Sequence, residues 1–406
     1  MKSHPRRDGI GRPSEISSLQ APRVLIVRDR FTAGGGIHHY YNAIAPHLTT
    51  QVVFTDVGKP NYPQGSRVHL FLRITILRLL KDWIVLIAKI VSFRPAIVHV
   101  NPGLDPEEGC RALNREAVNI LLARTLGCRV LVFWRGWYNP SCGSREFPGG
   151  TRSLRCSIYQ LADAHIVLAQ RFRDDLVQWR FKAPIYVETT VVGDEFLSEA
   201  VQIGDKAASR TNLLFLSRVE VAKGLFELLE AYQVLKQRNP AYTLRIAGSG
   251  PDLEAVKERA SLLQLKDVSF LGFVAGDTKM KCYREAGIFC FLSYTEGMPN
   301  AVLEAMAMGL PVVSSDAGGL RDILRNGQTG YVVHPDINLS ARHRFNLSEV
   351  VEAVERLTRD GDLYSRVSEY NSRLARDRFA AATVGKRLGR IYQSLVEGRI
   401  RALQYE

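Results

Sequence analysis

The sequence predicts an α/β protein with two doubly wound parallel-sheet domains, and three observations carry that prediction. The chain has 406 residues, which corresponds to two or three compact units at roughly 150 residues each. Hydrophobic residues make up 46% of it and charged residues 23%, so a substantial core can form. Short apolar runs bounded by turn residues recur along both halves, each followed by a longer stretch of helical periodicity. This alternation is typical of parallel sheets flanked by helices.

The first half contains six apolar runs, which are the predicted strands of a first domain, residues 23–200. They cover residues 24–27, 52–54, 97–100, 130–133, 166–168 and 185–187. Ahead of them, residues 1–22 carry positive charge and three prolines but lack the apolar segment of a secretory signal. We expect that segment to be a flexible tail.

The second half repeats the pattern with six further runs. They cover residues 213–216, 243–247, 268–271, 288–292, 311–314 and 330–333. Between the halves, residues 193–212 are polar and lack a strong period, as is typical of linkers, so the boundary is placed near residue 200. The second domain is predicted to span residues 201–375. The final amphipathic run is long enough for residues 376–406 to form a helix that crosses back to the first domain.

Several classes of protein and site are excluded by what the sequence lacks. The most apolar segment, residues 71–93, is interrupted by charged side chains, which excludes an integral membrane protein. Six cysteines occur without any C-x-x-C pair, so neither a zinc site nor a disulfide framework is predicted. No D-x-D sequence follows a predicted strand, so we expect no divalent metal and no cofactor. The protein is expected in the cytoplasm.

The net charge is +13, and it is uneven. Residues 1–200 hold 26 basic and 17 acidic side chains, a net +9, whereas residues 201–406 hold 28 and 24, a net +4. Nucleic acid, anionic lipid and phosphorylated ligands are all partners of suitable charge.

A helical wheel of residues 72–91 separates charged from apolar side chains. The charged side is predicted to hold Arg73, Arg78, Lys81, Asp82 and Lys89, and the apolar side Ile76, Leu79, Leu80, Trp83, Ile87 and Ile90. Such a helix either lies on an anionic membrane surface or packs its apolar side on the sheet of its own domain.

Cations follow the first strand of the predicted second domain. Arg218 and Lys223 come directly after residues 213–216, and an Arg fork with a Lys point charge can hold a diphosphate beside a helix N-terminus. Two ordinary surface cations are the alternative. After the next strand, residues 247–251 read Ala-Gly-Ser-Gly-Pro, which permits either close backbone approach or only a tight turn.

Residues 293–311 are the most informative segment. Pro299 suits the first position of a helix and Gly309 its C-cap, which predicts an anion site at the helix N-terminus between Glu296 and Glu304. Eight residues at the helical rise separate the two carboxylates by about 12 Å. A glycosidase pair lies roughly 5–9.5 Å apart, so these carboxylates suit the two ends of one elongated ligand, such as a nucleotide sugar. Each glutamate taken alone is also compatible with an ordinary solvated or capping carboxylate.

Six motifs in order resemble the retaining glycosyltransferases of family 4, over about 120 residues. They are Arg218-x4-Lys223-Gly224, residues 246–251, residues 270–274, residues 296–313 around the E-x7-E sequence, Gly318-Gly319, and residues 326–330. The resemblance implies the GT-B fold, in which two Rossmann-like domains face a cleft.

The resemblance also implies roles for individual residues. Arg218 and Lys223 match the pair that binds the donor diphosphate, Glu296 the residue that contacts the donor sugar, and these three are implied to be catalytic. Glu304 matches the carboxylate that holds the ribose hydroxyls. The remaining positions that match donor-binding residues are Gly35, Gly36, Gly248, Gly272, Phe273, Gly297, Met298, Pro299, Asn300 and Ala301.

One departure from the family pattern concerns the first domain. Where the family commonly has a histidine at the end of the strand at residues 130–133, this chain has Arg135, and a fixed cation cannot act as a base near neutral pH. Arg135 and His99 are the candidate residues of an acceptor cleft, although a packed core histidine is an equally good interpretation of His99.

These matches imply a retaining, metal-independent hexosyltransferase. We expect it to move a sugar from a UDP- or GDP-linked donor to a glycan or lipid-linked acceptor in cell-surface polysaccharide biosynthesis, in the cytoplasm or at the inner face of the plasma membrane. The alternative is a sugar-nucleotide epimerase of the same architecture. A nucleic-acid-binding protein is suggested only by charge and has no reading motif here, so no nucleic-acid partner is expected.

Overall fold

The computed structural model describes residues 21–30, 36–58, 68–104, 111–137, 147–198, 209–335 and 345–398, with the side chains of residues 68–76 and 111 excepted. Most of the predicted tail, Gly35, and the predicted boundary near residue 200 lie outside these residues. The predicted domain bounds therefore stay predictions.

The first domain contains a six-stranded parallel sheet in the order β2-β1-β3-β5-β7-β8. Two very short strands, β4 and β6, pair beside its carboxyl edge. The strands are β1 (Arg23–Asp29), β2 (Gln51–Val57), β3 (Ile97–Val100), β4 (Gly103–Leu104), β5 (Arg129–Phe133), β6 (Gly136–Trp137), β7 (Ala164–Val167) and β8 (Ile185–Val187). Their helices are α1 (Gly36–Ile44), α2 (Val68–Phe93), α3 (Arg111–Thr125), α4 (Leu154–Tyr159), α5 (Gln170–Gln178) and α6 (Asp194–Ser198).

The second domain contains another six-stranded parallel sheet, in the order β11-β10-β9-β12-β13-β14. Its strands are β9 (Asn212–Leu216), β10 (Thr243–Ala247), β11 (Val268–Gly272), β12 (Ile288–Phe291), β13 (Val312–Ser314) and β14 (Gly330–Val332). The helices are α7 (Leu225–Arg238), α8 (Leu253–Leu262), α9 (Gly276–Glu285), α10 (Asn300–Ala307), α11 (Leu320–Ile323), α12 (Leu347–Arg359), α13 (Gly361–Phe379) and α14 (Ala381–Glu397).

All twelve predicted runs coincide with strands of these two sheets. The runs are continuously apolar because helices cover both faces of a parallel sheet, so side chains on either face are buried. Strands β3, β7 and β12 are buried at every position. The prediction of two doubly wound parallel-sheet domains is confirmed.

The last helix, α14, packs on the first domain. The backbone N–H of Val192 donates to the carbonyl of Phe379, just before α14 begins. Arg387 of α14 forms an ion pair with the buried carboxylate of Glu188, just after β8, with N···O distances of 2.9–3.1 Å. Gly385 lies against His47, where its lack of a side chain lets α14 approach closely.

Helix α2 differs from the prediction in which side is buried. Ile90 of the predicted apolar side is buried, and so are Leu86, which the wheel assigns to neither side, and Asp82, which it places on the charged side. The Asp82 carboxylate accepts hydrogen bonds from Arg30 and from the backbone N–H of Gly58. The apolar side chains Leu77, Leu80, Ile84 and Val91 are 46–67% exposed. The wheel groups Leu80 with Ile90 on one apolar side, but Leu80 is exposed and Ile90 is buried, because α2 carries apolar residues on two faces. Within the described part of the chain, no helix has both the length and the hydrophobicity to cross a bilayer.

Candidate active site

The candidate site lies where the carboxyl edge of the second sheet meets the first domain. The loop between β12 and α10, residues 292–299, crosses this junction. Thr190 donates to the carbonyl of Met298 at 3.1 Å, and the backbone N–H of Gln170 donates to Asp322 at 2.6 Å. The first bond ties the loop to the first domain, and the second ties α11 to it.

Glycines allow the loop to pack this closely. A Cβ built on Gly318, whose φ is +55°, would lie 1.9 Å from the carbonyl oxygen of Glu296. A Cβ on Gly319 would lie 2.6 Å from the carbonyl oxygen of Leu168 in the first domain. Side chains at either position would push the two domains apart or displace the loop.

Lys223 and Glu296 form an ion pair at the centre of the site. The Nζ atom of Lys223 lies 2.7 Å from Oε1 of Glu296, and both side chains are mostly buried. Lys223 ends a one-turn 3₁₀ helix and is followed by Gly224 at φ +67°. That left-handed residue lets the turn approach the backbone of Leu292, and so brings the cation to the end of β12.

Arg218 is placed differently. Its side chain is 75% exposed and pairs with Glu220 at 2.8 Å. The structure therefore joins Lys223 to Glu296 but leaves the third residue implied to be catalytic on the surface beside them.

Glu304 is buried within α10 and held by two donors of α9. Its side chain is 1% exposed, and it accepts from Lys279 Nζ at 2.7 Å and from the hydroxyl of Tyr283 at 2.9 Å. Burial, with the Glu304 carboxylate beside it, raises the pKa of Tyr283 well above its ordinary value, so the phenol stays protonated and donates. The sequence interpretation missed both donors, although their spacing of four residues places them on one helix face.

The start of α10 corrects two details of the prediction. Pro299 is the N-cap, not the first helical residue, and Glu296 precedes the helix. The estimate of about 12 Å between the two carboxylates assumed helical rise and does not apply. Gly309 follows the C-cap Met308 in a left-handed conformation, at φ +70°.

The N-terminus of α10 faces the junction, and some of its polar groups lack hydrogen-bond partners. Helix starts leave their first N–H groups without partners in the helix, here those of Asn300 and Ala301, while Pro299 has none to offer. Among the residues that the structure describes, the buried Oδ1 atom of Asn300 has no hydrogen-bond partner. The site therefore offers donors and a partial positive charge beside the Lys223–Glu296 pair.

Three of the positions that match donor-binding residues, Gly248, Gly272 and Phe273, lie at the ends of β10 and β11. Gly248, at φ +148°, allows close contact with the backbone of Ser217, and its N–H donates to the carbonyl of Gly272. The next side chain, Phe273, is 73% exposed. An exposed phenyl ring here is available for stacking on a base.

Of the first-domain candidates, His99 is in the core. It is 0% exposed and bonded to Tyr41 at 3.1 Å and to Tyr392 of α14 at 2.7 Å. Burial and the charge of Arg135 hold its pKa well below the ordinary value, so the ring is neutral. The placement of His99 in an acceptor cleft is wrong, and the packed core histidine is the interpretation that the structure supports.

Arg135 lies at the junction, after β5. Its carbonyl oxygen faces Gly297, 3.4 Å from where a Cβ on that glycine would stand. Gly36 begins α1 with open space beside it. Within the described residues, no cluster of histidine, cysteine, aspartate or glutamate has the composition to hold a metal ion.

Part of the chain is similar to a known family of domains. Residues 199–373 match the family model for glycosyl transferases group 1. The second domain is therefore similar to the glycosyl transferases group 1 domain. All the second-domain residues of the candidate site lie within this match, and the finer assignment to family 4 stays a prediction.

Curated relatives carry transferase names. The chain is 26% identical over 247 residues to the α-D-kanosaminyltransferase of Streptomyces kanamyceticus, covering 58% of this chain and 61% of the relative. It is 32% identical over 154 residues to the amylovoran biosynthesis glycosyltransferase AmsK of Erwinia amylovora, covering 36% and 38%. The chain thus spans less than two thirds of the length of either relative.

A solved structure extends the likeness to the whole fold. The Anabaena protein Alr3699/HepE, solved in complex with UDP and glucose, aligns with 92% of this chain and 100% of its own, with a TM-score of 0.66 and 17% identity. At 17% identity the similarity shows the fold alone, and it confirms the predicted GT-B architecture.

Proposed function

We propose that the protein is a glycosyltransferase that moves a hexose from a nucleotide-sugar donor to a glycan or lipid-linked acceptor in cell-surface polysaccharide biosynthesis. The observation that carries the proposal is the arrangement around α10. A lysine–glutamate pair precedes this helix, a second pair lies one turn inside it, and the free N–H groups of its first turn lie between them.

This arrangement suits an elongated ligand with an anionic centre. The diphosphate of the donor would lie on the N-terminus of α10, where Lys223 and the helix dipole stabilise the charge that develops as the sugar departs. Glu296, released from Lys223 by the phosphates, would accept hydrogen bonds from sugar hydroxyls. At the other end of the ligand, Glu304 would accept hydrogen bonds from the ribose hydroxyls. The exposed side chain of Arg218 can turn inward to contact the phosphates.

Retention of configuration and independence of metal ions are part of the proposal. Both come from the resemblance of the motifs to family 4, together with cations that can balance the diphosphate without a metal. UDP or GDP is the expected nucleotide. The epimerase alternative is disfavoured by the names of the reported relatives, which are transferases.

The test is a thermal-shift screen of the wild-type protein against UDP-, GDP- and ADP-sugars, with EDTA present throughout. A ligand that binds only the native state raises the melting temperature, and we expect one nucleotide series to do so. Transfer to an acceptor extract, followed by determination of the anomeric configuration of the product, then tests the reaction itself. Conversion of the donor sugar without any acceptor would favour the epimerase, and no shift with any nucleotide sugar would contradict the assignment.

We also propose that the first domain docks on an anionic membrane surface through α2. Four apolar side chains, Leu77, Leu80, Ile84 and Val91, are exposed along one face of this helix, and exposed Lys81 lies beside them. Their spacing forms a continuous stripe, and the net +9 of the first half supplies attraction to anionic lipid. Docking there would place the enzyme at the inner face of the plasma membrane, near a lipid-linked acceptor.

Sedimentation with liposomes tests this docking. We expect the wild type to pellet with vesicles containing phosphatidylglycerol at low salt, and Ile84→Glu to pellet less. Leu262→Glu is the matched control, because Leu262 is 70% exposed in the second domain and should leave binding unchanged. Equal binding of all three proteins, or no binding of the wild type, would contradict the proposal.

A further inference from the structure

Arg135 is a cation at the junction of the two domains, and no carboxylate among the described residues pairs with it. Its Nε atom donates to Asn101 Oδ1 at 3.1 Å, an amide oxygen that also accepts from Tyr41. The Nη2 atom of Arg135 is buried, with no hydrogen-bond partner in the described part of the chain.

Aromatic rings hold the guanidinium in place. Its central carbon lies 3.9 Å from the ring centre of Tyr40 and 3.7 Å from that of Phe133. These contacts stabilise a cation and fix its plane, but they do not replace the hydrogen bonds that Nη2 would make in water. The nearby carboxylate of Glu188 is already bound by Arg387.

A second polar atom beside the guanidinium lacks a partner as well. The hydroxyl of Tyr40 is buried and accepts or donates no hydrogen bond within the described residues. Desolvation by burial raises the pKa of this phenol far above its ordinary value, so the hydroxyl keeps its proton. A buried cation left without an anionic partner is costly, and a ligand that supplied an anionic oxygen would remove that cost.

The position of Arg135 connects this unused donor with the donor-sugar loop. Trp134 and Arg135 directly follow β5, and the Arg135 backbone faces Gly297 across the junction. Glu296 precedes that glycine, so the Arg135 backbone lies beside the loop that carries Glu296, while the guanidinium lies against Asn101, Tyr40 and Phe133 of the first domain.

We propose that Arg135 binds an anionic oxygen of a phosphate or carboxylate group on a substrate, from the first-domain wall of the cleft. This inference rests on the proposed function and adds a residue to its site. The group comes either from the donor, as its diphosphate, or from the acceptor, as an acidic sugar or a sugar phosphate. The guanidinium is a binding residue in both cases and takes no part in proton transfer.

Calorimetric titration with nucleoside diphosphates tests whether the anionic group is the diphosphate of the donor. UDP, GDP and ADP are titrated into the wild type, and the one that binds is titrated into Arg135→Gln and Arg135→Lys. Loss of a charge-assisted hydrogen bond should weaken binding by about ten-fold in Arg135→Gln, with a smaller loss in Arg135→Lys, which keeps the charge but not the fork. Arg173→Gln, an exposed position of α5, should bind as the wild type does.

Thermal shifts with small acids test the second source. Inorganic phosphate, glucose 6-phosphate and glucuronate are compared with neutral glucose. If the acceptor carries the anion, at least one acid should stabilise the wild type more than glucose does, and Arg135→Gln should abolish that difference while its nucleotide affinity stays unchanged. Tyr40→Phe, which removes only the hydroxyl, provides a milder variant should Arg135→Gln fold poorly, and it should weaken the same ligand.

The inference is overturned if the wild type binds a nucleoside diphosphate and the Arg135 and Tyr40 variants bind it equally well, with no acid-specific stabilisation. A wild type that binds no nucleoside diphosphate at all would instead contradict the proposed function. The two failures are therefore distinguishable.

Discussion

Replacing Lys279 with methionine should destabilise the second domain by leaving the Glu304 carboxylate uncompensated. Glu304 is 1% exposed, and among the described residues the Tyr283 hydroxyl is the donor that would remain after the change. Breaking a fully buried ion pair from one side costs about 3–5 kcal/mol. Because Lys279 keeps 24% of its side chain exposed, we expect about 2–3 kcal/mol here.

Thermal denaturation measures this loss. At about 2–4 °C per kcal/mol for a unit of this size, the melting temperature should fall by about 4–12 °C. The double variant Lys279→Met/Glu304→Gln should recover most of it, because a neutral amide no longer needs the cation. Lys257→Met removes a surface pair with Glu254 and should change the melting temperature little.

Two outcomes would refute the reasoning about this pair. One is a Lys279→Met protein that melts at the wild-type temperature, which would mean that solvent already neutralises Glu304. The other is a double variant no more stable than Lys279→Met alone, which would mean that the lysine acts through its packing and not through its charge. For the same reason, Glu304→Ala should disturb the fold as well as ligand binding, because it leaves Lys279 without its carboxylate partner.

Three further predictions concern the ligand and pH. Arg218→Ala should abolish most of the donor-induced thermal shift while leaving the melting temperature of the free protein unchanged, because the side chain is 75% exposed and pairs only with Glu220 among the described contacts. Phe273→Ala should weaken nucleotide binding about ten-fold in calorimetry, as expected for loss of one stacked base, and equal affinities would exclude stacking. Burial lowers the pKa of His165 to about 3, so the unfolded chain binds more protons than the native one between about pH 6.5 and pH 3. As the pH is lowered over that range, this residue should therefore reduce the free energy of unfolding by about 1.4 kcal/mol per pH unit. In His165→Gln, the free energy of unfolding measured by denaturation should depend less steeply on pH. An unchanged pH dependence would contradict the lowered pKa of His165.

The fold was predictable because its signal is local. Each parallel strand is buried on both faces, so a short apolar run marks it whatever its partners are. The turn glycines and the motif order around Glu296 were equally visible. All of these features depend on residues close together in the chain.

The features that could not be predicted from the sequence depend on contacts between residues far apart in the chain. Lys279 stands 25 residues before Glu304 and outside the matched motifs, so nothing local linked the two. His99 lies in a strand buried throughout, where alternation does not reveal which side chain faces a cleft. Helix α2 has apolar residues on two faces, and a wheel cannot tell which of them meets the sheet.

The packing of α14 has a consequence for the order in which the polypeptide acquires its structure during synthesis. Tyr392 is hydrogen-bonded to His99, and Arg387 donates to Glu188. Helix α14 therefore buries and pairs polar groups that lie some two hundred positions or more before it in the chain. A nascent amino-terminal half emerging from the ribosome would keep these groups hydrated until α14 has been translated. The first domain therefore completes its folding only after α14 emerges, and premature termination before α14 should expose this half to proteases and chaperones even though its own strands are present.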